Sequence, residues 1–207
     1  MAWLRRWNLA RWVAVSVAAL SSTACYPREA AQQRREAALE RDPVPLLYAG
    51  PLTVEYGGNL GREIHYSDHG RRRIELIMPT GRGHSIDDLR QRKVFYWTDW
   101  EPNEPVKVRP LDAAALAQTR RWHGVTTARR IGPCEFAGEV GSFYRQVLGP
   151  GFKGPYLVRY QACITPDGVL LADGSVSGDG QIHSTMQATK VSRGRLPDNV
   201  FTPPPRQ

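Results

Sequence analysis

From Leu52 onward apolar residues fall on every second position, and glycines interrupt them at short intervals. A period of two with frequent breakers restricts this stretch to antiparallel sheet, because a helix would need a period near 3.6. Leu52, Val54 and Tyr56 alternate with Thr53 and Glu55, and Gly57-Gly58-Asn59 ends the run. Ile64 and Tyr66 alternate with Glu63 and His65, followed by the turn Ser67-Asp68-His69-Gly70. Ile74, Leu76 and Met78 then alternate with Arg73 and Glu75. Three such runs joined by short turns predict a meander.

Further strands are expected over residues 93–98, 125–131, 135–139, 142–148, 156–164, 169–172 and 181–191, separated by Gly and Pro. Residues 85–91 suggest a short helical piece, and residues 99–110, with three prolines, a loop. The best helix signal in this region is LDAAALAQTRRW at residues 111–122, with Asp112 as N-cap and Leu111, Ala115 and Leu116 on one face. The expectation is eight to ten antiparallel strands with two or three helices. A sheet of that size either closes or curls around helices.

The first 24 residues have the pattern of an export signal. Arg5, Arg6 and Arg11 precede the apolar stretch WVAVSVAAL, and Ser22-Thr23-Ala24 has the small-x-small form of a cleavage site. Cleavage there leaves Cys25 first, the arrangement of a bacterial lipoprotein whose cysteine is acylated. Each buried CH₂ contributes ~0.8 kcal/mol, so two or three acyl chains anchor stably. Tyr26 stands where an Asp would favour retention at the inner membrane, which favours an outer-membrane destination. The expected partner is therefore a membrane, reached through the anchor, with the chain facing the periplasm.

Export also frames the remaining cysteines. Cys134 and Cys163 are an even pair in an oxidising compartment, and neither lies in a CxxC. A bridge between them is worth ~3–4 kcal/mol in the chain-entropy account. The formal charge is +8. Removal of the three leader arginines leaves 25 basic against 20 acidic side chains, a net +5. With an exported address, that modest excess argues against nucleic acid and for anionic surfaces. The organisation is a signal peptide (1–24), a lipidated N-terminus and helical tether (25–44), a single domain (45–202) and a Pro-rich tail (203–207).

The order of features, from GREIHYSDHGRRRIELIM through IGPCEFAGEVGSFYRQ and ACITPDGVLLADG to ATKVSRGRLPDNVFTPP, resembles the LolA/LolB superfamily of periplasmic lipoprotein carriers and receptors. The similarity covers residues 45–205 and rests on pattern. It implies an α+β, β-rich fold: a single curved antiparallel sheet, an unclosed half-barrel wrapped around a few helices. It also implies an apolar concavity able to hold an acyl chain or lipidated protein, with no cofactor and no catalytic residues. The soluble carrier of that family has no lipid anchor, so Cys25 favours a fixed role over shuttling.

No catalytic constellation emerges from the residues. Gly174-Ser175-Val176-Ser177-Gly178 places Val where GxSxG needs its nucleophile. Asp173 and Asp179 suit a turn. His65, Asp68 and His69 cluster at a hairpin, and His65 and His69 are four apart, a spacing that aligns metal ligands on a helix but not across a turn. No enzyme, metal or other cofactor is expected. Val54, Tyr56, Tyr66, Leu76 and Trp97 are the candidate ligand-lining residues. The expected function is binding of a hydrophobic ligand, acyl chain or lipidated protein without catalysis. The alternative is an interaction lipoprotein with a filled core and a basic binding surface.

Overall fold

In the structure, a computed structural model, residues 40–58, 61–113, 116, 119–147, 159–177 and 182–205 are described. All of them belong to one compact unit formed by residues 40–147 and 154–207. Cys25, the cleavage site and most of the expected tether lie outside the described residues.

The strands are β1 (Asp42–Pro43), β2 (Leu52–Gly58), β3 (Gly61–Asp68), β4 (Arg71–Met78), β5 (Gly81–Asp88) and β6 (Lys93–Thr98), then β7 (Lys107–Pro110), β8 (Thr127–Phe136), β9 (Glu139–Arg145), β10 (Arg159–Ile164), β11 (Leu170–Val176) and β12 (Ile182–Arg193). They form one antiparallel sheet ordered β1-β8-β9-β10-β11-β12-β2-β3-β4-β5-β6-β7. Two meanders, β2–β7 and β8–β12, are thus joined side by side where β12 pairs with β2. β1 and β7 are the two edges and do not pair, so the sheet stays open. The link from β7 to β8 has to travel from one edge of the sheet to near the other.

The expected α+β class is corrected. The fold is nearly all sheet, and the sheet is not wrapped around several helices. Among the described residues the bounded helical elements are two 3-10 turns, Trp122–Gly124 and Asp198–Phe201. The helix expected over 111–122 survives as an i→i−4 bond from Leu116 N–H to Asp112 O, beside residues outside the described set.

Residues 85–91 are not helical. His84, Ile86 and Asp88 of β5 are buried while Ser85 and Asp87 are less so, which is strand alternation. Asp88 Oδ1 accepts the N–H groups of Arg90 and Gln91, both at 2.9 Å, and closes a turn. The expected loop 99–110 ends in the edge strand β7. The break expected at Gly132-Pro133 is instead a bulge inside one continuous β8. Only Thr127 and Ala128 of β8 pair with β1, so Pro133 sits on an otherwise free edge where its missing N–H costs nothing.

Three apolar clusters hold the sheet. One gathers Leu52, Val54, Tyr56, Val169 and Leu171 with both domain cysteines. A second packs Val44, Trp122 and Val125 on Ala128, Tyr144 and Ile164. The third joins Ile86 and Trp97 with Phe201 of the C-terminal turn. That turn is tied down by Arg73, whose Nη1 donates to Val200 O at 2.7 Å, and by Arg71, whose guanidinium lies 4.5 Å above the Phe201 ring.

Candidate functional site: a cavity between sheet and strap

Residues directly opposite one another in an antiparallel ladder share a face. Val54 opposes His65 and Tyr56 opposes Glu63, so these four point to one side of the sheet. A cavity of about 1230 Å³ opens on that side. Its apolar lining includes Leu52, Val54 and Tyr56 of β2, Val169, Leu170 of β11 and Met186 of β12. Leu52, Val54, Tyr56 and Val169 are themselves buried in the first apolar cluster, so the cavity lies against packed core.

Two passing segments wall the cavity. The first, residues 44–49, is an extended strap whose backbone bonds run outward to four places, beginning with Val44 N–H to Thr126 O at 3.0 Å. Leu47 N–H donates to Arg120 O, Tyr48 N–H to Gly168 O, and His69 N–H to Ala49 O, at 2.9, 2.9 and 2.6 Å. Gly168 closes the TPDG turn, with φ +93°, and a Cβ there would overlap Leu46 O. The second segment, residues 119–124, belongs to the long β7–β8 link that the strand order forces across the sheet.

Polar groups are organised in pairs around the apolar floor. Tyr56 donates to Leu170 O at 2.7 Å, and its ring meets His65 edge-on at 4.7 Å. Burial, with the nearby charges of Asp173 and Glu63, pushes the Tyr56 phenol far above its ordinary range. His65 Nε2 is 2.7 Å from Glu63 Oε2, and Arg72 donates to Asp87 at 2.5 Å. On the facing wall, Asp173 accepts from the Trp122 indole at 3.0 Å and pairs with His123 Nε2 at 2.7 Å. His123 also stacks on Tyr160, centroids 4.1 Å apart, from a left-handed backbone with φ +45°.

Of the expected lining residues, Val54 and Tyr56 lie on the cavity wall. Tyr66 touches its edge, but its ring packs with Ile86, Trp97 and Phe201 on the opposite face. The reason is register: Tyr66 opposes Thr53, one position out of phase with Val54. Trp97 opposes His84, which opposes Glu75, and this row also points away from the cavity. Trp97 is a core residue beneath the C-terminal turn. Leu76 is on the cavity's face, since it opposes Glu63, but is not among the lining residues.

The separate histidine cluster at the β3–β4 hairpin disperses, with His65 on Glu63 and His69 on Asp68 at 2.6 Å. Among the described residues no three His, Cys, Asp or Glu side chains are placed to hold a metal. Cys134 and Cys163 are bridged. Sequence reasoning missed Trp122, His123 and Asp173 as a unit. His123 and Asp173 lie 50 residues apart in the chain, and only the basic-aromatic run Arg120-Arg121-Trp122 hinted at them.

No family model matches this chain, and no curated protein does. Solved structures do resemble it. An uncharacterised conserved protein from Thermus thermophilus superposes with a TM-score of 0.53 at 11% identity, over 86% of this chain and 93% of that one. At that identity the likeness concerns the fold alone. MucB, solved by itself, gives a TM-score of 0.47 at 15% identity over 87% of this chain and 65% of its own. The Pseudomonas aeruginosa MucA/MucB complex gives 0.45 at 16%, over 85% and 60%. The chain thus spans under two thirds of both MucB-related structures.

Proposed function

We propose that this chain is an exported, envelope-associated binding protein, tethered through an acylated Cys25, that holds a hydrophobic ligand in the cavity between sheet and strap and does no chemistry on it. The ligand is an acyl chain, free or carried on a protein, as the resemblance to the LolA/LolB superfamily implies. The observation that carries this reading is the cavity itself. Its volume of about 1230 Å³ exceeds the ~300–1,000 Å³ typical of small-molecule sites, and its floor is aliphatic and aromatic. Burial at ~25 cal/mol per Å² makes even one acyl chain worth several kcal/mol. The disulfide suits an oxidising compartment.

The test is native mass spectrometry of the full chain purified from bacterial envelopes, followed by organic extraction. Wild type is expected to release a stoichiometric lipid. Ser175→Trp, which sets an indole into the lining, is expected to release none while keeping its circular dichroism. A wild type that carries no lipid, and gains none on incubation with lipids and lipopeptides, overturns the reading. The N-terminal peptide from the same sample reports whether Cys25 is acylated.

A further inference from the structure

The charges around the cavity do not cancel evenly. Every acidic side chain that lines it already has a partner: Glu63 has His65, Asp87 has Arg72, and Asp173 has both Trp122 and His123. On the basic side, Arg71 is engaged by Asp68 at 2.6 Å and Arg72 by Asp87. Two lining guanidinium groups remain, Arg120 and Arg121, whose side chains have neither an ion pair nor a hydrogen bond among the described residues. They stand next to each other at the start of the wall formed by Trp122 and His123.

Asp173 is the acid bonded to that wall, and it does not pair with them. Its two oxygens are taken separately, Oδ1 by the Trp122 indole and Oδ2 by His123. The backbone of the arginines is fixed, because Arg120 O accepts Leu47 N–H and Arg121 O accepts Gly124 N–H. The β7–β8 link therefore carries two uncommitted cations, Arg121 half-buried and Arg120 exposed, in the lining of the cavity. A guanidinium offers a planar fork of donors that fits carboxylate and phosphate oxygens.

Building on the acyl-binding reading above, we propose that the cavity selects amphiphiles with an anionic head group, a carboxylate or a phosphate monoester, which pairs with Arg120 and Arg121 while the chain lies over Leu52, Val54 and Tyr56. An amphiphile arranged in this way pairs two charges that otherwise rely on solvent. It also keeps its chain on aliphatic and aromatic lining.

The probes share one palmitoyl chain: palmitate, palmitoyl lysophosphatidate and neutral monopalmitoylglycerol, titrated calorimetrically into the full chain below their micelle-forming concentrations. Wild type is expected to bind at least one anionic probe about tenfold more tightly than the neutral one, a preference that shrinks as salt is raised. The stronger anion names the source, fatty carboxylate or lipid phosphate. The double variant Arg120→Gln/Arg121→Gln is expected to lose the preference and keep the neutral affinity, which also shows that it is folded. Equal affinity for all three probes in wild type, or a preference that survives in the double variant, overturns the inference and leaves the acyl-binding reading standing. Binding of none of them overturns both.

Discussion

The Tyr56 hydroxyl, buried against the Leu170 carbonyl, links cavity, core and pH. Its native pKa lies far above the ordinary 10.0. Below that ordinary value the phenol is neutral in native and unfolded chains alike, and its hydrogen bond stabilises the fold in full. As pH rises through it, the unfolded chain ionises and the native one does not, so the stabilisation is lost. Tyr56→Phe removes the hydroxyl that donates to Leu170 O and is expected to cost about 1 kcal/mol near neutral pH. The gap between wild type and variant in urea unfolding is expected to close as pH climbs past about 10. A gap that stays constant would mean that the hydroxyl is not buried as described. Gly168 is the second telling residue. Its φ of +93° and the overlap of a would-be Cβ with Leu46 O leave no room for a side chain. Gly168→Ala is expected to cost about 2 kcal/mol or more, read as a lower urea midpoint, through backbone strain and a displaced strap.

Among the elements, the hairpin β8–β9 and strand β10 show how tightly one half of the sheet coils. Cys134 of β8 opposes Gly141, and Cys163 of β10 opposes Phe143, so β9 runs between the two bridged strands. Strands two apart in a flat sheet are separated by about 9.5 Å, yet the Cα atoms of the bridge are 6.1 Å apart. β9 carries no side chain opposite Cys134: a Cβ on Gly141 would come within 2.7 Å of Ile164 O. At the same end Arg193 of β12 forks onto Glu139 of β9, and its Nη2 also reaches Asp167 at 3.2 Å. Reduction of the bridge, with a sequence separation of 29 residues, is expected to remove about 3–4 kcal/mol of stability. Arg193→Ala is expected to cost less than about 1 kcal/mol, since its pairs are partly exposed. Calorimetric unfolding with and without reductant separates the two. If reduction leaves stability unchanged, the coil is held by packing alone.

For the whole molecule, the decisive fact is that β12 lies beside β2 and that β1 joins β8 at the far edge. This order sends the β7–β8 link and the strap 44–49 across one face of the sheet, where they wall a cavity. The alternating runs of β2, β3 and β4 were legible in residues 52–78 because period two is a local signal, and TPDG announced its turn through Pro166 and Gly168. The apolar face of β2 could be read in the same way, and with it Val54 and Tyr56. Alternation says which residues share a face but not which face meets solvent, a strap or a C-terminal turn. Tyr66 and Trp97 therefore left the cavity for the cluster under Phe201, and Asp88 closes a strand turn. The joining of His123 to Asp173, and the two arginines left beside them, likewise depended on strand order. Local chemistry determined where strands run and where they turn; long-range pairing decided which of their faces encloses space, because that depends on contacts between residues far apart in the chain.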